Sequence, residues 1–344
     1  MAIILVIYQH TLVSPITTKI FNPLIITNGW IGVSLFFILS GFVLYRPFFL
    51  KQRLINSKYD YKKFYKSRFL RLYPLFIFVC TISLIFKVKL SLNTLLLYLE
   101  TLTTFTMFRQ EAFFSPLNGV FWSLAVEIWF SILFPILIFF INRFSIYKVA
   151  LFIFLLSIII RFVGTYNAWD INLHVNPIKD SVLARLDDFL LGMIICKLFY
   201  DKNMLFKYNS TFLLFISLCF ILLGCIIWDY VGFFNLNRIF IPFTNNFFQI
   251  GFLFLIIVCL KGNNLVYNFF TNRMLRLAGV MCFSLYSWHT LVHTDISAYT
   301  IINLLVRYLF IFIISAITYR YIEYGKERGW RKLFLLDDRD LYTL

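Results

Sequence analysis

The sequence has 344 residues, of which 61% are hydrophobic and 14% are charged, and it contains 44 Phe and 20 Tyr. This composition excludes a soluble globular protein, because no ordinary domain needs that much apolar surface, and it is typical of a polytopic membrane protein. Since a spanning helix takes about 20 apolar residues, residues 1–344 have room for roughly ten spans and no separate soluble domain. The sequence therefore predicts a single all-α membrane domain.

The net charge of +16 does not indicate a nucleic acid partner, because Lys and Arg are concentrated in short loops between apolar runs. That distribution is typical of cytoplasmic loops that face anionic lipid. We therefore expect no nucleic acid partner. We also expect no metal, since the cysteines show neither zinc-site nor disulfide spacing. They are Cys80, Cys196, Cys219, Cys225, Cys259 and Cys282.

Ten apolar runs predict spanning helices in chain order. Their approximate limits are 1–13, 29–45, 69–88, 119–141, 147–163, 181–199, 211–228, 239–260, 274–292 and 300–320. A further apolar stretch, 92–108, carries Glu100 and is interpreted as an interfacial or re-entrant segment.

The basic residues predict the orientation of these spans. Segment 46–71 is strongly cationic and is therefore expected in the cytoplasm. Ten spans place the other basic segments on that same side, namely 142–148, 197–210, 261–276 and the tail after Arg320. The outer loops 164–180 and 229–238 are nearly neutral. The charges therefore favour ten spans across the inner membrane, with both termini cytoplasmic.

Ionisable side chains at bilayer depth are the first candidates for functional residues, because each costs at least ~2.5–3.5 kcal/mol to insert unless it faces a partner or water. His10 is either a structural hydrogen-bonding residue or a general base, since its ordinary pKa is about 6.5. Glu127 either pairs with a buried Arg or belongs to a functional site. Ser123 is one helical turn away from Glu127, within reach of its carboxylate.

Arg68 and Arg71 are spaced to share one face of a helix at the cytoplasmic end of a span. They are either anchors that obey the positive-inside rule or a clamp for phosphates, which guanidinium groups bind bidentately. Segment 29–42 contains three Gly and two Ser. Such small residues indicate either close helix packing or backbone approach to a thin ligand, and composition does not separate the two.

Two further groups of polar residues lie in the C-terminal half. Arg185 is followed by Asp187 and Asp188, and a mutual ion pair among the three is favoured. His289 and His293 share a helical face, but no Cys or carboxylate ligand lies nearby, so they do not predict a zinc site.

Six stretches in this order resemble the acyltransferase-3 family of integral membrane acyltransferases. They are "GVSLFFILSGF", "FYKSRFLRLYPLF", "VFWSLAVEIWFSILFP", "RLDDFLLGM", "FSLYSWH" and "YRYIEYGKER", and they are spread over nearly the whole chain. Each stretch is a weak signal alone, whereas six in family order are specific.

The resemblance implies a reaction and its substrates. Proteins of this family take an acyl group, usually acetyl from acetyl-CoA on the cytoplasmic side, and modify sugars of surface glycans. It therefore implies O-acetylation of a capsule, lipopolysaccharide or similar glycan, or of its lipid-linked precursor, within the membrane. No Ser-His-Asp arrangement is evident, so direct attack on the thioester is favoured over an acyl-enzyme.

Matched residue by residue, the resemblance implies catalytic roles for His10 and Glu127 and a CoA-phosphate clamp at Arg68 and Arg71. The Gly-rich run of the family resembles Gly32, Ser40, Gly41 and Phe42, of which Ser40 and Gly41 are implied to contact the donor. The positions implied to support the substrate are Trp122, Ser123, Arg185 and His289. If the first span enters from the cytoplasm, His10 lies about 15 Å deep, at 1.5 Å per residue, where the pantetheine arm could deliver the thioester.

Two departures from the family pattern stand out. Ser34 occupies a position where Asp is common. The family Arg that lies eleven residues before the catalytic His would fall upstream of Met1, and the first run is only about 20 Å long, short of the ~30 Å hydrocarbon core. We therefore expect the reading frame to continue upstream of Met1 and to supply an Arg or Lys there. A transporter or flippase of a lipid-linked sugar is the alternative function.

Overall fold

A computed structural model describes most of the chain, and every regular element in that part is a helix. The described residues are 1–12, 28–54, 58–87, 89, 91–166, 176–201, 204–234, 238–262, 264–291 and 301–323. The prediction of an all-α fold is confirmed. Residues 13–27 and His293 lie outside the described residues.

The helices follow the apolar runs closely in the first two thirds of the chain. The α-helices are α1 (Ala2–Leu12), α2 (Ile31–Phe48), α3 (Tyr61–Lys87), α4 (Leu92–Leu102), α5 (Gln110–Phe113), α6 (Phe121–Phe144), α7 (Ile146–Tyr166), α8 (Leu186–Tyr200), α9 (Ser210–Phe234), α10 (Ile241–Lys261), α11 (Leu265–Phe270), α12 (Arg273–Val280), α13 (Cys282–Trp288) and α14 (Ile301–Tyr321). A π-helix covers Phe49–Leu54, and short 3-10 helices cover Phe105–Phe108, Met204–Lys207 and Arg238–Phe240.

Six of the described helices are long and apolar enough to cross a membrane: α2, α3, α6, α7, α9 and α10. The chain is therefore a multi-pass membrane protein. The predicted count of ten spans and the location of the termini stay predictions, because α1 has 11 residues and α8 has 15, and α14 is not among the six.

Two predicted spans differ from the helices observed. The run 274–292 is divided at Met281 into α12 and α13, and Gly279 near the break disfavours a continuous helix. The run 181–199 begins with turns, and α8 starts only at Leu186. The residues on both sides of each break are apolar, so the mean hydropathy of the run stays high and does not indicate where the helix is interrupted.

The stretch 92–108 forms only a short helix, and its interpretation as an interfacial or re-entrant segment stays a prediction. At 1.5 Å per residue, the 11 residues of α4 cover about 16 Å. The helix begins with a capping box between Ser91 and Thr94. Thr104 adopts a left-handed conformation with φ of 62° directly after α4, and this conformation turns the chain away from the helix axis.

Close packing of glycines joins α2 to its neighbours. A side chain at Gly41 would overlap the backbone of Phe189, and one at Gly192 would overlap the backbone of Ile38, so α2 and α8 meet almost backbone to backbone. A side chain at Gly32 would meet the carbonyl oxygen of Ala2 on α1. The small residues of segment 29–42 therefore serve helix packing on both of these faces.

Candidate active site

The short helix α13 lies at the centre of the candidate site, because it contacts α1, α3 and α14 and hydrogen bonds to the start of α6. Polar side chains from α1, α2, α3, α6 and α13 follow one another through this part of the bundle. We call them the polar column: Arg68, Glu127, Ser40, Ser131, Ser123, Tyr286, His289 and His10. Four of the six family-like stretches contribute to it, although they are far apart in sequence.

An ion pair forms one end of the polar column. Arg68 Nη2 donates to Glu127 Oε1 at 2.6 Å, and Arg68 Nε donates to Ser131 Oγ at 3.1 Å. Ser40 Oγ donates to the same Glu127 oxygen at 3.2 Å. Arg68 is buried, whereas 26% of the Glu127 side chain stays exposed. Glu127 thus has the buried Arg partner considered from the sequence, and one edge of its carboxylate remains open.

Arg71 is exposed and forms no ion pair with the described residues. It lies one turn further along α3 than Arg68, close enough for its charge to act on Glu127 and Glu323. The two arginines of the Arg-x-x-Arg motif therefore have different surroundings.

The middle of the polar column is a hydrogen-bonded hydroxyl pair. Tyr286 and Ser123 hydroxyls lie 2.5 Å apart, and the Tyr286 hydroxyl also donates to the Val120 carbonyl at 3.0 Å. Ser123 Oγ lies 3.1 Å from the same carbonyl oxygen. Because a hydroxyl carries one hydrogen, Ser123 donates the bond between the two hydroxyls when Tyr286 donates to Val120. The expected contact between Ser123 and the Glu127 carboxylate is not present, because Ser123 turns toward α13 instead.

Two histidines form the other end of the polar column. The His289 and His10 rings have centroids 5.2 Å apart and are tilted by 52°. His289 is buried, and its Nδ1 lies 2.7 Å from the Tyr286 carbonyl oxygen. Because a carbonyl oxygen can only accept a hydrogen bond, Nδ1 carries the hydrogen. The adjacent Asn118 accepts from Thr290 Oγ1 at 2.6 Å and donates to the Ser287 carbonyl at 2.9 Å. His10 is exposed.

The two predicted catalytic residues do not lie together. Gln9, next to His10, accepts from the Gly29 amide at 2.8 Å, whereas Glu127 accepts from Ser40. Gly29 and Ser40 are eleven residues apart, which is about 16 Å along α2 at 1.5 Å per residue. His10 and Glu127 therefore occupy opposite ends of the polar column.

Some predicted site residues also have packing roles. Gly41 faces the backbone of Phe189, so this face of the glycine serves helix packing, and its contact with the donor stays a prediction. Trp122 is buried and stacks on Phe113, with centroids 5.6 Å apart. This contact packs the start of α6, and the predicted substrate role of Trp122 stays a prediction. Among the described residues, no group of three or more metal-binding side chains occurs.

Arg185 belongs to a second polar cluster, away from the column. Its Nε donates to Asp180 Oδ1 at 2.9 Å, and its Nη1 lies 3.6 Å from Asp188. Asp187 instead accepts from Arg161 at 2.5 Å. The expected mutual ion pair is therefore only partly correct, because Asp187 has another partner and Asp180 is the main partner of Arg185.

We call this second cluster the charge network. Its members are Arg161, Lys179, Asp180, Arg185, Asp187, Asp188, Ser34, Asn245 and Gln249, from α2, α7, α10 and the start of α8. Three cations and three carboxylates balance, and each of the six side chains is at most 11% exposed. Ser34 donates to Asn245 Oδ1 at 2.7 Å, and Asn245 Oδ1 also accepts from Arg185 at 2.8 Å. The neutral side chain of Ser34 thus makes this hydrogen bond at a position where the family often has Asp.

The sequence reasoning missed several residues of these two clusters. Arg161 lies within an apolar run, so the rule that singled out Glu127 applies equally to it. Glu323 accepts from Ser284 Oγ at 2.7 Å just beyond α14, and burial raises its pKa to about 7. It lies in the family-like stretch "YRYIEYGKER". Asp180 carries no comparable signal, because acidic residues are ordinary in a loop.

A family model described as an acyltransferase domain, that of acyltransferase-3, matches residues 1–319. The chain is also 26% identical over 343 residues to the O-acetyltransferase OatA of Staphylococcus aureus strain NCTC 8325, covering 87% of this chain and 52% of OatA. The OatA proteins of strains COL and MRSA252 show the same identity and coverage. The chain thus spans about half the length of the curated relatives it matches. No solved structure matches it.

The family match extends over nearly the whole sequence. Four of the six stretches that carry the resemblance contribute side chains to the polar column. The chain therefore belongs to the acyltransferase-3 family of membrane acyltransferases.

Proposed function

We propose that this protein transfers an acetyl group from acetyl-CoA to a hydroxyl of a cell-surface polysaccharide or its lipid-linked precursor, at the inner membrane. The polar column carries this proposal, because it extends from the Arg68–Glu127 ion pair, next to the exposed Arg71, to the exposed His10. The curated relatives named O-acetyltransferase support acetyl as the acyl group. Transfer between two sides of a membrane requires such a route through the apolar bundle.

Arg71 is the residue we assign to the CoA phosphates. Its guanidinium is exposed, whereas Arg68 already donates to Glu127 and Ser131. Arginine binds phosphate bidentately, so Arg71 can hold the nucleotide end of the donor. Arg68 instead orients Glu127, whose carboxylate also accepts from Ser40. The clamp expected from two arginines is thus proposed to rest on one of them, with the other as a positioning residue.

His10 is the group we assign as general base. A neutral imidazole can take the proton of a sugar hydroxyl as the hydroxyl oxygen attacks the thioester carbonyl carbon. The tetrahedral intermediate then expels the CoA sulfur, which receives the proton back from the imidazolium, so that an ester and CoA thiol result. His289 has its Nδ1 hydrogen held by the Tyr286 carbonyl, and its fixed ring orients His10. His10 is placed as catalytic and His289 as positioning.

Release of CoA thiol tests this proposal. Purified protein with acetyl-CoA and glycan acceptor should release thiol, and the His10→Ala variant should lose nearly all of that release. The His289→Asn variant should retain a slower reaction with an altered pH profile, because the base is still present but less well oriented. If wild-type protein never consumes acetyl-CoA but moves a labelled lipid-linked sugar across vesicles, the proposal is wrong and the chain is a transporter.

A further inference from the structure

An apolar groove with a volume of about 410 Å³ opens on the outer surface of the bundle between α6 and α7. It lies away from the polar column. Its lining residues are Leu133, Ile136, Leu137, Phe140, Phe144, Lys148, Val149, Phe152, Ile153, Leu183 and Leu186. Several of them are exposed in the protein alone, including Ile136 (52%) and Leu183 (43%). The groove is therefore accessible from the side that faces lipid.

Among the described residues, Lys148 is the only charged one that lines the groove. It is exposed and forms no ion pair with the part of the chain that the structure describes. Arg143 lies in the same turn, and segment 142–148 contains no acidic residue. The positive-inside rule places such a turn at the cytoplasmic surface. The groove thus has one cationic end and is apolar elsewhere, which complements an amphiphile with an anionic head.

The length of the groove matches one leaflet. Along α6 the lining runs from Leu133 to Phe144, eleven residues or about 16 Å at 1.5 Å per residue. Half of the ~30 Å hydrocarbon core is about 15 Å. Leu183 and Leu186 close the far end, next to the buried charge network. A hydrocarbon chain that enters at Lys148 would therefore end at the middle of the bilayer.

We propose that this groove holds one acyl chain of an anionic phospholipid from the inner leaflet, with the phosphate at Lys148. The apolar lining accepts the chain, and the ammonium group attracts the headgroup. The bound chain would fill the gap between α6 and α7 below the charge network. This lipid site is separate from the proposed transfer reaction, since no member of the polar column lines it.

Lipid retention measured by native mass spectrometry tests the proposal. The full-length protein in neutral detergent, titrated with phosphatidylglycerol, should retain one molecule more tightly than phosphatidylcholine with the same chains. Lys148→Gln should weaken phosphatidylglycerol binding about fivefold, as expected for one lysine near an anionic group. Leu183→Trp should abolish the retained molecule by filling the groove, and Ile136→Trp should do the same from the opposite wall.

Lys62→Gln serves as the matched control, because Lys62 is an exposed lysine at the start of α3, outside the groove. It should leave retention unchanged. Size-exclusion profiles and melting temperatures of the variants separate loss of the groove from loss of fold. Equal retention of phosphatidylglycerol and phosphatidylcholine would overturn the assignment. Undiminished retention in both well-folded tryptophan variants would overturn it as well.

Discussion

The polar column and the charge network are both polar clusters inside an apolar bundle, yet they differ in how completely they are closed. In the charge network, three cations face three carboxylates and each side chain is at most 11% exposed. In the polar column, Glu127 is 26% exposed and His10 is exposed, and the neighbouring Arg71 is exposed as well. A closed and neutral cluster fastens helices together, whereas an open one leaves groups available for a substrate.

The largest effect should come from breaking the charge network. Arg185→Ala leaves Asp180 and Asp188 without their main cation in a buried place, so we expect a loss of about 3–5 kcal/mol in the free energy of unfolding. Abundance in the membrane and melting temperature in detergent measure it. Lys197→Ala is the control, because its ion pair with Asp201 is more exposed and contributes little. A stable Arg185→Ala protein that has lost turnover would make the network part of the site.

Arg68 and Arg71 on α3 differ in burial, and we expect their removal to have different effects. Arg71→Ala should weaken acetyl-CoA binding by about 1–3 kcal/mol, the range of charge-assisted hydrogen bonds, at unchanged abundance. Arg71→Lys should recover only part of that affinity, since a point charge cannot replace the guanidinium fork. Isothermal titration with CoA measures both.

Arg68→Ala should instead lower abundance, because it leaves Glu127 unpaired. Normal CoA affinity in a well-folded Arg71→Ala protein would remove Arg71 from the donor site. Reduced affinity in both variants at equal abundance would restore the two-arginine clamp expected from the sequence.

Glu323 makes the stability of the site region depend on pH. Burial raises its pKa from 4.5 to about 7, so the folded state holds a proton that the unfolded state releases. Stability therefore falls as pH rises from about 4.5 to about 7 and is level above that, with a total loss of about 3 kcal/mol. Glu323→Gln keeps an acceptor for Ser284 and should flatten this dependence in thermal unfolding scans.

A matched control for this dependence is Glu100→Gln, because Glu100 forms a more exposed ion pair with Arg109. Its removal should change stability by less than about 1 kcal/mol. A pH dependence that persists unchanged in Glu323→Gln would assign the titration to another group.

The smallest effect concerns the middle of the column. Tyr286→Phe removes the hydroxyl that bonds to Ser123 and Val120, and we expect a loss of about 1 kcal/mol. Tyr65→Phe is the control, since the Tyr65 hydroxyl bonds to the Ile132 carbonyl on an exposed face. A loss as large as that of Arg185→Ala would show that the column also fastens the bundle.

The sequence allowed the fold class and most column residues to be predicted, because insertion into lipid makes each ionisable residue costly and therefore conspicuous. Glu127, Arg68 and His10 were found in this way. Their partners were not predictable, since the Arg68–Glu127 pair joins residues 59 positions apart. The hydrophobic periodicity of a sequence predicts helices but does not predict which helices lie next to each other. Gly41 illustrates another limit: small residues suit both packing and ligand approach, and the packing against Phe189 is visible only in the folded structure.

The charge network was largely missed for a related reason. Its carboxylates come from a turn and a helix start, where acidic residues are ordinary, and only Arg161 lies deep in an apolar run. The break at Met281 was missed because hydropathy averages over it. Both errors concern residues whose importance depends on what folds against them.

Arg71 and His10 are both exposed and lie on different helices, α3 and α1. If the nucleotide is held at Arg71 while the thioester reacts at His10, the distance between these two residues sets the length of the arm that joins nucleotide and thioester. Acetyl thioesters with a shortened arm could be anchored or could react, but not both at once. Selection among acyl donors would then depend on reach as much as on the chemistry of the acyl group.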